Sequence, residues 1–215
     1  MNFLTITAGL LEGFKFNLII FGVTLLAALP LGLILSFGSM SKIAPVRWLV
    51  KSFILVIRAT PLMLQIMLVF FGPGLLWGGD GFSRLNSALI AFIINYAAYF
   101  SEIFRGGIEA IPHGQYEAGQ VLGMTSTQVF FKVVLFQVIK RVVPPMFNEI
   151  ITLVKDTSLA RIISVVEITR VAQNYITSKA LIWPLFYSGV FYLVFCGLLT
   201  IIAGKIEKKL NYYEG

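Results

Sequence analysis

Charged residues are scarce in this chain, and that scarcity excludes an ordinary soluble globular domain. Only 13% of its 215 residues are Asp, Glu, Lys or Arg, whereas 58% are hydrophobic. Soluble domains carry about 25% charged residues, and each of their helices or strands needs only one apolar face. The surplus of apolar surface requires lipid as a second solvent, so the composition predicts an integral membrane protein.

Residues that bind metals or form disulfides are almost absent. The single cysteine, Cys196, lies in an apolar stretch, so neither a disulfide framework nor a cysteine metal site can form within one chain. His113 is the only histidine. We therefore expect no metal site, and we assign no catalytic residue.

A phosphate-binding glycine-rich loop is also missing. The sequence contains no Gly-x-x-x-x-Gly-Lys-Ser/Thr segment, and that segment is the one that cradles the phosphates in P-loop ATPases. The chain is therefore not expected to bind ATP or another cofactor itself.

Long apolar stretches are what the sequence does have. A helix needs roughly 20 mainly apolar residues to cross the hydrocarbon layer. Four stretches meet this requirement: Phe14–Phe37, Phe53–Leu76, Asn86–Phe104 and Leu181–Gly204. The first lacks the basic start and the small-residue cleavage site of a signal peptide, so we expect it to be retained.

The net charge of +7 is concentrated beside these stretches. Basic residues cluster at Lys42–Arg58, Arg105–Arg141 and Lys205–Lys209. Loops on the cytoplasmic side of a membrane carry such an excess of Lys and Arg. This placement favours a membrane topology over a nucleic-acid surface, and we expect no nucleic-acid partner.

The distribution of charge also predicts the number of crossings. The basic first loop is assigned to the cytoplasm, which puts the N-terminus outside. Both Arg141 and Lys205 belong to cytoplasmic segments, so an even number of crossings must separate them. Leu181–Gly204 is one, and the other must lie near residues 133–154, a weaker stretch in which two prolines are expected to bend the helix.

We therefore predict an all-α polytopic membrane protein with five transmembrane helices, its N-terminus outside, and one domain over residues 1–215. The predicted spans cover about 14–37, 50–71, 86–105, 133–154 and 181–204. A cytoplasmic segment at 111–132, between spans three and four, is long enough for two short helices. An amphipathic segment at 155–179 is predicted to be external, because apolar residues recur there at roughly helical spacing.

The cytoplasmic segment carries the most specific pattern in the chain. It reads Gln115-Tyr116-Glu117-Ala118-Gly119, followed by Gly123 and, after nine intervening residues, by Val133-x-Leu135. This pattern resembles the EAA loop of binding-protein-dependent ABC importer permeases. The chain departs from that loop at Gly119, Val133 and Phe136, where the family pattern has alanine, isoleucine and proline.

Three further segments are similar to polar amino-acid permeases of this class. They are Arg58-x-Thr60-Pro61-Leu62-x-x-Gln65, Ala98-Tyr99-x-Ser101-Glu102-x-x-Arg105-Gly106-Gly107-Ile108, and Asn148-x-x-Ile151-x-Leu153-x-Lys155-Asp156-Thr157-Ser158-Leu159. The resemblance extends over nearly the whole chain, from Gly13 to Lys209.

The resemblance implies a set of partners and a location. It implies two cytoplasmic ABC ATPase subunits that bind ATP and Mg²⁺, a second permease subunit that is identical or related, and an external solute-binding protein. It also implies a multi-pass protein of a prokaryotic inner membrane. The residues that would couple the permease to the ATPases are Gln115, Glu117, Ala118, Gly119 and Gly123.

These residue types suit a short helix that inserts into a groove on an ATPase. The small Ala118 and Gly119 would allow close backbone approach, and Glu117 would bind a basic group. Gly123 has the backbone freedom that a sharp turn requires.

Polar side chains within the predicted spans are the candidates for substrate binding, because burying them in lipid is costly and they usually face a partner or water. These candidates are Asn17, Thr60, Gln65, Asn95, Tyr99, Glu102, Glu149 and Asp156. Three of them, Asn95, Tyr99 and Glu102, lie on one face of a helix.

Some of these carboxylates have a structural alternative. Glu102 stands three residues before Arg105, so the two can neutralise each other, and Glu149 has Lys155 as a comparable partner. The long stem of Arg58 can carry its charge to the cytoplasmic interface. Pro61 is expected to bend the second span.

Taken together, the carboxylates favour a cationic or zwitterionic amino acid: arginine, lysine or histidine, with glutamine also compatible. One alternative is an ion-coupled secondary transporter in which carboxylates relay protons or sodium, although we find no inverted repeat of the kind such transporters contain. A second alternative is a membrane assembly or export-gate component.

Overall fold

The computed structural model describes residues 2–210, and every regular element in that part of the chain is helical. Its α-helices are α1 Phe3–Ser39, α2 Ala44–Ala59, α3 Leu62–Trp77, α4 Arg84–Glu109, α5 Gly114–Val121, α6 Ser126–Val129, α7 Leu135–Asp156, α8 Ile168–Lys179 and α9 Trp183–Leu210. A π-helical turn, Phe130–Val134, joins α6 to α7, and a 3₁₀ helix, Thr157–Ile163, follows α7 directly. The all-α prediction is confirmed.

Three helices are long and apolar enough to cross a membrane, namely α1, α4 and α9. Together, α2 and α3 make a fourth candidate, although they are bent by 104° at the break between them. α7 occupies the position of the predicted fourth span, but Lys140, Arg141 and Glu149 interrupt its apolar sequence. Length and composition therefore support three or four spans, and the fifth crossing stays a prediction.

The second predicted span is not one continuous helix. Proline restricts the residue before it to extended conformations, and Thr60 adopts φ −112° and ψ 143° immediately before Pro61. α2 consequently ends at Ala59, and α3 begins anew at Leu62. The expected bend is thus a complete break.

The prolines of α7 do not interrupt it. Pro144 and Pro145 lie inside an unbroken helix, and the irregular turn lies further upstream, at Phe130–Val134. Packing against α4 holds this part of α7 in place, because a Cβ built on Gly107 would lie only 2.3 Å from a methyl carbon of Val142. The prolines therefore do not break α7, and the bend expected there stays a prediction.

The longest helix, α1, contributes to two separate hydrophobic cores. Its second half packs on α4 in the main core, which includes Ile20 and Phe100. Its first half packs on α8 in a smaller core formed by Ile6, Leu10, Ile168 and Ala172. α1 therefore connects the bundle around α4 to the α8–α9 end of the fold.

The contact between α1 and α4 depends on one small residue. A Cβ built on Gly32 would lie 2.8 Å from the Cβ of Phe100 and 3.0 Å from the carbonyl oxygen of Ala97. Neither atom can move without its backbone. Any side chain at position 32 therefore forces the two helices apart.

We predict that Gly32→Ala lowers the free energy of unfolding by about 1–3 kcal/mol, the usual cost of overpacking a well-packed interface. Gly22→Ala is the matched control, because this glycine lies in the same helix and a Cβ added there would meet no atom of another element within 4 Å. Thermal unfolding of both variants in detergent measures the difference. Equal stabilities would show that the α1–α4 contact does not require Gly32.

Candidate functional site

A cavity of about 480 Å³ opens where the α2–α3 break meets α4 and α7. Five of the eight predicted substrate-binding residues line it: Thr60, Asn95, Tyr99, Glu149 and Asp156. The structure therefore brings together residues that are up to 96 positions apart in the sequence. We refer to this space as the substrate cavity.

Helical spacing explains how these side chains converge. On α4, Asn95 and Tyr99 are four residues apart and lie about one turn from each other on the same face. On α7, Glu149, Thr152 and Asp156 follow one another at intervals of three and four residues, which also places them on one face. The break between α2 and α3 supplies the third wall of the cavity.

One cation and two carboxylates line the substrate cavity. The cation is Arg58, whose guanidinium lies 5.2 Å from the centre of the Tyr99 ring. The carboxylates belong to Glu149 and Asp156, and the hydroxyl of Tyr96 donates a 2.7 Å hydrogen bond to Asp156. The cavity thus offers opposite charges to a single small ligand.

Arg58 and Tyr96 are not among the predicted substrate-binding residues. Arg58 opens one of the segments that resemble amino-acid permeases, but its long stem could equally carry the charge to the cytoplasmic interface if residues 50–71 form one span. The Thr60-Pro61 pair is a helix-break signal, and it would have indicated that the end of α2 faces inward. Tyr96 gave no comparable signal, because an aromatic residue in an apolar helix normally belongs to the core.

Glu102 lies outside the substrate cavity. Its carboxylate accepts two hydrogen bonds from Arg105, at 3.0 and 2.6 Å, and also lies 3.4 Å from Arg58. The structural alternative for Glu102, pairing with Arg105, is therefore observed. The comparable alternative for Glu149 is not, since the structure contains no ion pair between Glu149 and Lys155.

Gln65 lies behind the cavity wall and ties the helix break to α4. Its amide nitrogen donates to the carbonyl of Ile57 and to the hydroxyl of Thr60, both at 2.8 Å. Its amide oxygen accepts a 3.0 Å hydrogen bond from Asn95. Because Gln65 supplies partners for backbone groups that the break exposes, its side chain is fully engaged within the protein.

Asn17 does not line the substrate cavity but lies in a buried polar cluster. Its side-chain nitrogen donates to Thr157 at 2.8 Å and to the hydroxyl of Tyr192 at 2.9 Å, and its oxygen accepts from the backbone nitrogen of Ile168 at 3.0 Å. The Asn17 side chain therefore joins α1 to three other elements: the 3₁₀ helix, the start of α8, and α9.

The same cluster contains a carboxylate that was not predicted from the sequence. Glu167 is 0% exposed and caps the N-terminus of α8 by accepting from the backbone nitrogens of Thr169 and Arg170, at 2.9 and 2.7 Å. Its carboxylate also accepts from Asn17 at 3.3 Å. Glutamate is an uncommon capping residue, so the local sequence gave little indication of this role.

The predicted coupling segment forms two short helices, α5 and α6, as expected. Gly123, between them, has a φ of +71°, a conformation that favours glycine. Thr125 and Gln128 then form a capping box at the start of α6. The turn at Gly123 and the existence of two helices are thus confirmed.

The role expected for Gly119 needs correction. This residue is buried, and a Cβ on it would lie 2.3 Å from a methyl carbon of Val129. Its small size therefore allows α5 to pack on α6, rather than on a partner. Glu117 and Ala118 are more accessible, and so are Val121 and Leu122, whose exposed fractions are 88% and 78%.

One contact fastens the coupling segment to α7, and a second fastens α7 to the end of α4 just before that segment. The amide nitrogen of Gln137 donates to the amide oxygen of Gln115 at 3.0 Å. The guanidinium of Arg141 donates to the carbonyl of Ala110 at 2.6 Å. A displacement of α5 would therefore be transmitted to α7, which carries Glu149 and Asp156.

Comparison with known proteins agrees with this architecture. Residues 28–212 match the family described as the binding-protein-dependent transport system inner membrane component. The chain is 40% identical to the L-cystine transport system permease protein TcyB of Bacillus subtilis, in an alignment that covers 85% of this chain and 78% of that protein.

Two other relatives align over nearly their whole length. The arginine transport system permease protein ArtQ of Bacillus subtilis is 36% identical, with 94% of this chain and 92% of that protein covered. The glutamine transport system permease protein GlnP of Escherichia coli K12 is 33% identical, with coverages of 94% and 93%.

A solved structure has the same fold. The crystal structure of an amino acid ABC transporter with histidines superimposes with a TM-score of 0.86 and 28% identity, covering 97% of this chain and 99% of that chain. The methionine transporter MetNI in an inward-facing conformation gives a TM-score of 0.74 at 16% identity, which shows a shared fold alone.

We predict that Asn17→Ala lowers the free energy of unfolding by about 1–3 kcal/mol or more, because it removes four hydrogen bonds from a buried cluster, including the one that the backbone nitrogen of Ile168 donates. Asn174→Ala is the control, since the hydrogen bonds at this residue involve its backbone carbonyl. Thermal unfolding in detergent measures both. A stable Asn17→Ala protein would contradict a structural role for the cluster.

Proposed function

The chain belongs to the family of binding-protein-dependent transport system inner membrane components, and from this premise we propose that it carries polar, positively charged L-amino acids through its substrate cavity. Members of this family are the transmembrane permeases of ABC importers, whose ATPase is a separate subunit. The chain is thus an amino-acid permease and not itself an enzyme. Its substrate, topology and partners are the subject of the proposal.

The arrangement of charge in the substrate cavity is the observation that supports this substrate class. An α-amino acid has a carboxylate and an ammonium group a few ångströms apart. Arg58 offers a planar guanidinium that suits a carboxylate, while Glu149 and Asp156 offer acceptors for the ammonium. We propose that Thr60, Asn95 and Tyr99 complete the binding surface.

The balance of charge favours a basic amino acid. In and beside the cavity, Arg58 and Arg105 offset the carboxylates of Glu102 and Glu109, with which the arginines form ion pairs. Glu149 and Asp156 are left without a cationic partner in these pairs. A ligand with a second positive group, such as arginine, lysine or histidine, offers one cationic group to each of these carboxylates, and glutamine can offer an amide in place of one.

The relatives support a polar amino acid rather than a basic one in particular. Their names specify arginine, glutamine and cystine, which are all polar amino acids. None of them is named for an ion-coupled carrier, and membership of an ABC permease family leaves the secondary-transport alternative without support.

We further propose five crossings, with the N-terminus outside and the C-terminal lysines in the cytoplasm of a bacterium. In this topology α7 is the fourth crossing. Its charged and polar residues are tolerated because they face the cavity and α4 rather than lipid. The basic residues of the α1–α2 loop and of the coupling segment then lie on one side of the membrane.

The coupling segment is proposed to dock on an ATPase. Glu117, Ala118, Val121 and Leu122 offer one carboxylate and an apolar tip, while Gly119 supports them from inside. Two ATPases, a second permease and an external solute-binding protein complete the proposed transporter. Closure of the ATPases on ATP and Mg²⁺ would move α5, and with it α7, so that the substrate cavity changes the side to which it opens.

We predict that Glu149→Gln and Asp156→Asn each lower ATP-driven uptake of radiolabelled arginine by about tenfold or more at low substrate. Loss of a hydrogen bond to a charged group costs about 1.5–3 kcal/mol. The measurement uses vesicles that contain the permease, its ATPase and its binding protein.

Glu12→Gln is the control for the loss of a carboxylate, because this residue is exposed and does not line the substrate cavity. Unchanged uptake by both cavity variants would rule out the proposed substrate site. Uptake driven by an ion gradient without ATP would instead contradict the importer as a whole.

We predict that Gly123→Ala uncouples ATP hydrolysis from uptake, because alanine is strained at a φ of +71° and the turn between α5 and α6 must then change. Gly106→Ala is the control, since this glycine has no positive φ and a Cβ added to it would meet no neighbouring element within 4 Å. The ratio of amino acid transported to ATP hydrolysed should fall severalfold in the first variant only. An unchanged ratio would exclude the Gly123 turn from coupling.

A further inference from the structure

Two smaller cavities continue the substrate cavity along α2. The first, of about 240 Å³, lies between α2 and α4 and is lined by Lys51, Arg58, Glu102 and Arg105 together with Ile54 and Leu55. We call it the middle cavity. The second, of about 360 Å³, is lined by Arg47, Lys51 and Trp48 together with Ala44, Ser52 and Leu55, and we call it the lower cavity.

The three cavities are neighbours along α2, because successive cavities share lining side chains. Arg58 lines both the substrate cavity and the middle cavity. Lys51 and Leu55 line both the middle cavity and the lower cavity. A ligand that moved along the surface of α2 would meet the three cavities in this order.

The direction of this series can be read along α4. Asn95 and Tyr99 line the substrate cavity, whereas Glu102 and Arg105 line the middle cavity. With a rise of 1.5 Å per residue, the step from Asn95 to Arg105 covers about 15 Å toward the end of α4 that leads into α5. The series therefore runs from the substrate cavity toward the coupling segment, which is the proposed cytoplasmic side.

Cations line this route on one face of α2. Arg47, Lys51 and Arg58 are separated by four and seven residues, so they lie within about 40° of one another around α2. The lower cavity has no acidic residue in its lining. Lys51 has neither a hydrogen bond nor an ion pair with any residue that the structure describes, whereas Arg47 also donates to the carbonyl of Ser41 at 2.9 Å.

We propose that Lys51 and Arg47 form a second subsite for the carboxylate of the transported amino acid, which receives it from Arg58 during release to the cytoplasm. The inference rests on the proposed function of the substrate cavity. Arg58 can give up the carboxylate because Glu102, which lies 3.4 Å away, remains available to it. The lower cavity has no carboxylate for the ammonium, so it binds the amino acid more weakly than the substrate cavity and favours departure.

The experiment measures ATP-driven uptake by the complete transporter in vesicles, with radiolabelled arginine and glutamine as probes. For Lys51→Gln we expect the maximal rate to fall at least threefold, while the concentration of loaded binding protein that gives half-maximal uptake stays unchanged. The rate should change without the half-maximal concentration, because the substitution affects release of the amino acid to the cytoplasm and not its delivery by the binding protein. Lys51→Arg should restore the rate, and Lys208→Gln, which removes a cation near the end of α9, should leave it unchanged.

A second variant separates this role from a structural one. Leu55 lines the same two cavities, so the double variant K51Q/L55K returns a cation to the route at another position. We expect it to recover at least half of the lost rate. A lysine needed only for packing or assembly would not be replaced in this way. All variants are compared at equal amounts of assembled complex, as measured by size-exclusion chromatography.

Three results would overturn the release subsite. They are a Lys51→Gln rate equal to that of the unmodified protein, a failure of both Lys51→Arg and K51Q/L55K to recover the rate, and a defect seen only in vesicles that contain anionic lipid. The last result would assign these cations to phospholipid headgroups. If the unmodified transporter shows no ATP-driven uptake, the proposed function fails first, and the release subsite fails with it.

Discussion

The break between α2 and α3 requires that backbone groups freed by Thr60 and Pro61 find partners inside the protein. A membrane interior offers no water for this purpose, so an unsatisfied carbonyl there is costly. The hydroxyl of Thr60 bonds back to the carbonyl of Val56 at 2.9 Å, and the amide of Gln65 reaches that of Ile57. Because Gln65 also bonds Asn95, the same contacts that stabilise the break attach it to α4. The position of Arg58, and with it the substrate cavity, depends on this arrangement.

The charges around Arg58 form a continuous series from the substrate cavity to the end of α4. Arg58 contacts Glu102, which Arg105 holds by two hydrogen bonds, and Arg105 in turn binds Glu109 at 2.6 Å. A guanidinium that is 41% exposed and has one long contact with a carboxylate is less tightly held than Arg105. Two arginines beside one glutamate thus differ in their contacts: Arg105 is held firmly within α4, whereas Arg58 has only one long contact with the carboxylate and lines the cavity.

The fold also has a second organising contact, at the opposite end of α1. Asn17 and Glu167 hold the start of α8 against α1, while the main core holds the rest of α1 against α4. Polar residues therefore have three roles in this chain. Some line the substrate cavity, some repair an interrupted helix, and some fasten one helix to another. In a protein rich in apolar surface, fastening by hydrogen bonds is specific in a way that contact between apolar helices is not.

The sequence by itself determined the helical class, the positions of α1, α4 and α9, the two short helices α5 and α6 with the turn at Gly123, and the family. Hydropathy, basic clusters and local motifs are properties of neighbouring residues, so they can be read without a structure. Five residues of the cavity were predicted for the same reason, since a polar group in an apolar stretch stands out. Only the tertiary structure decided which polar groups share one cavity. In the sequence, Asn17, Gln65 and Glu102 are polar residues in apolar stretches, as Asn95 and Glu149 are. Their hydrogen-bond partners, however, lie 140, 8 and 3 residues away along the chain. Whether a buried polar group has a hydrogen-bond partner within the protein depends on the atoms that the fold brings next to it.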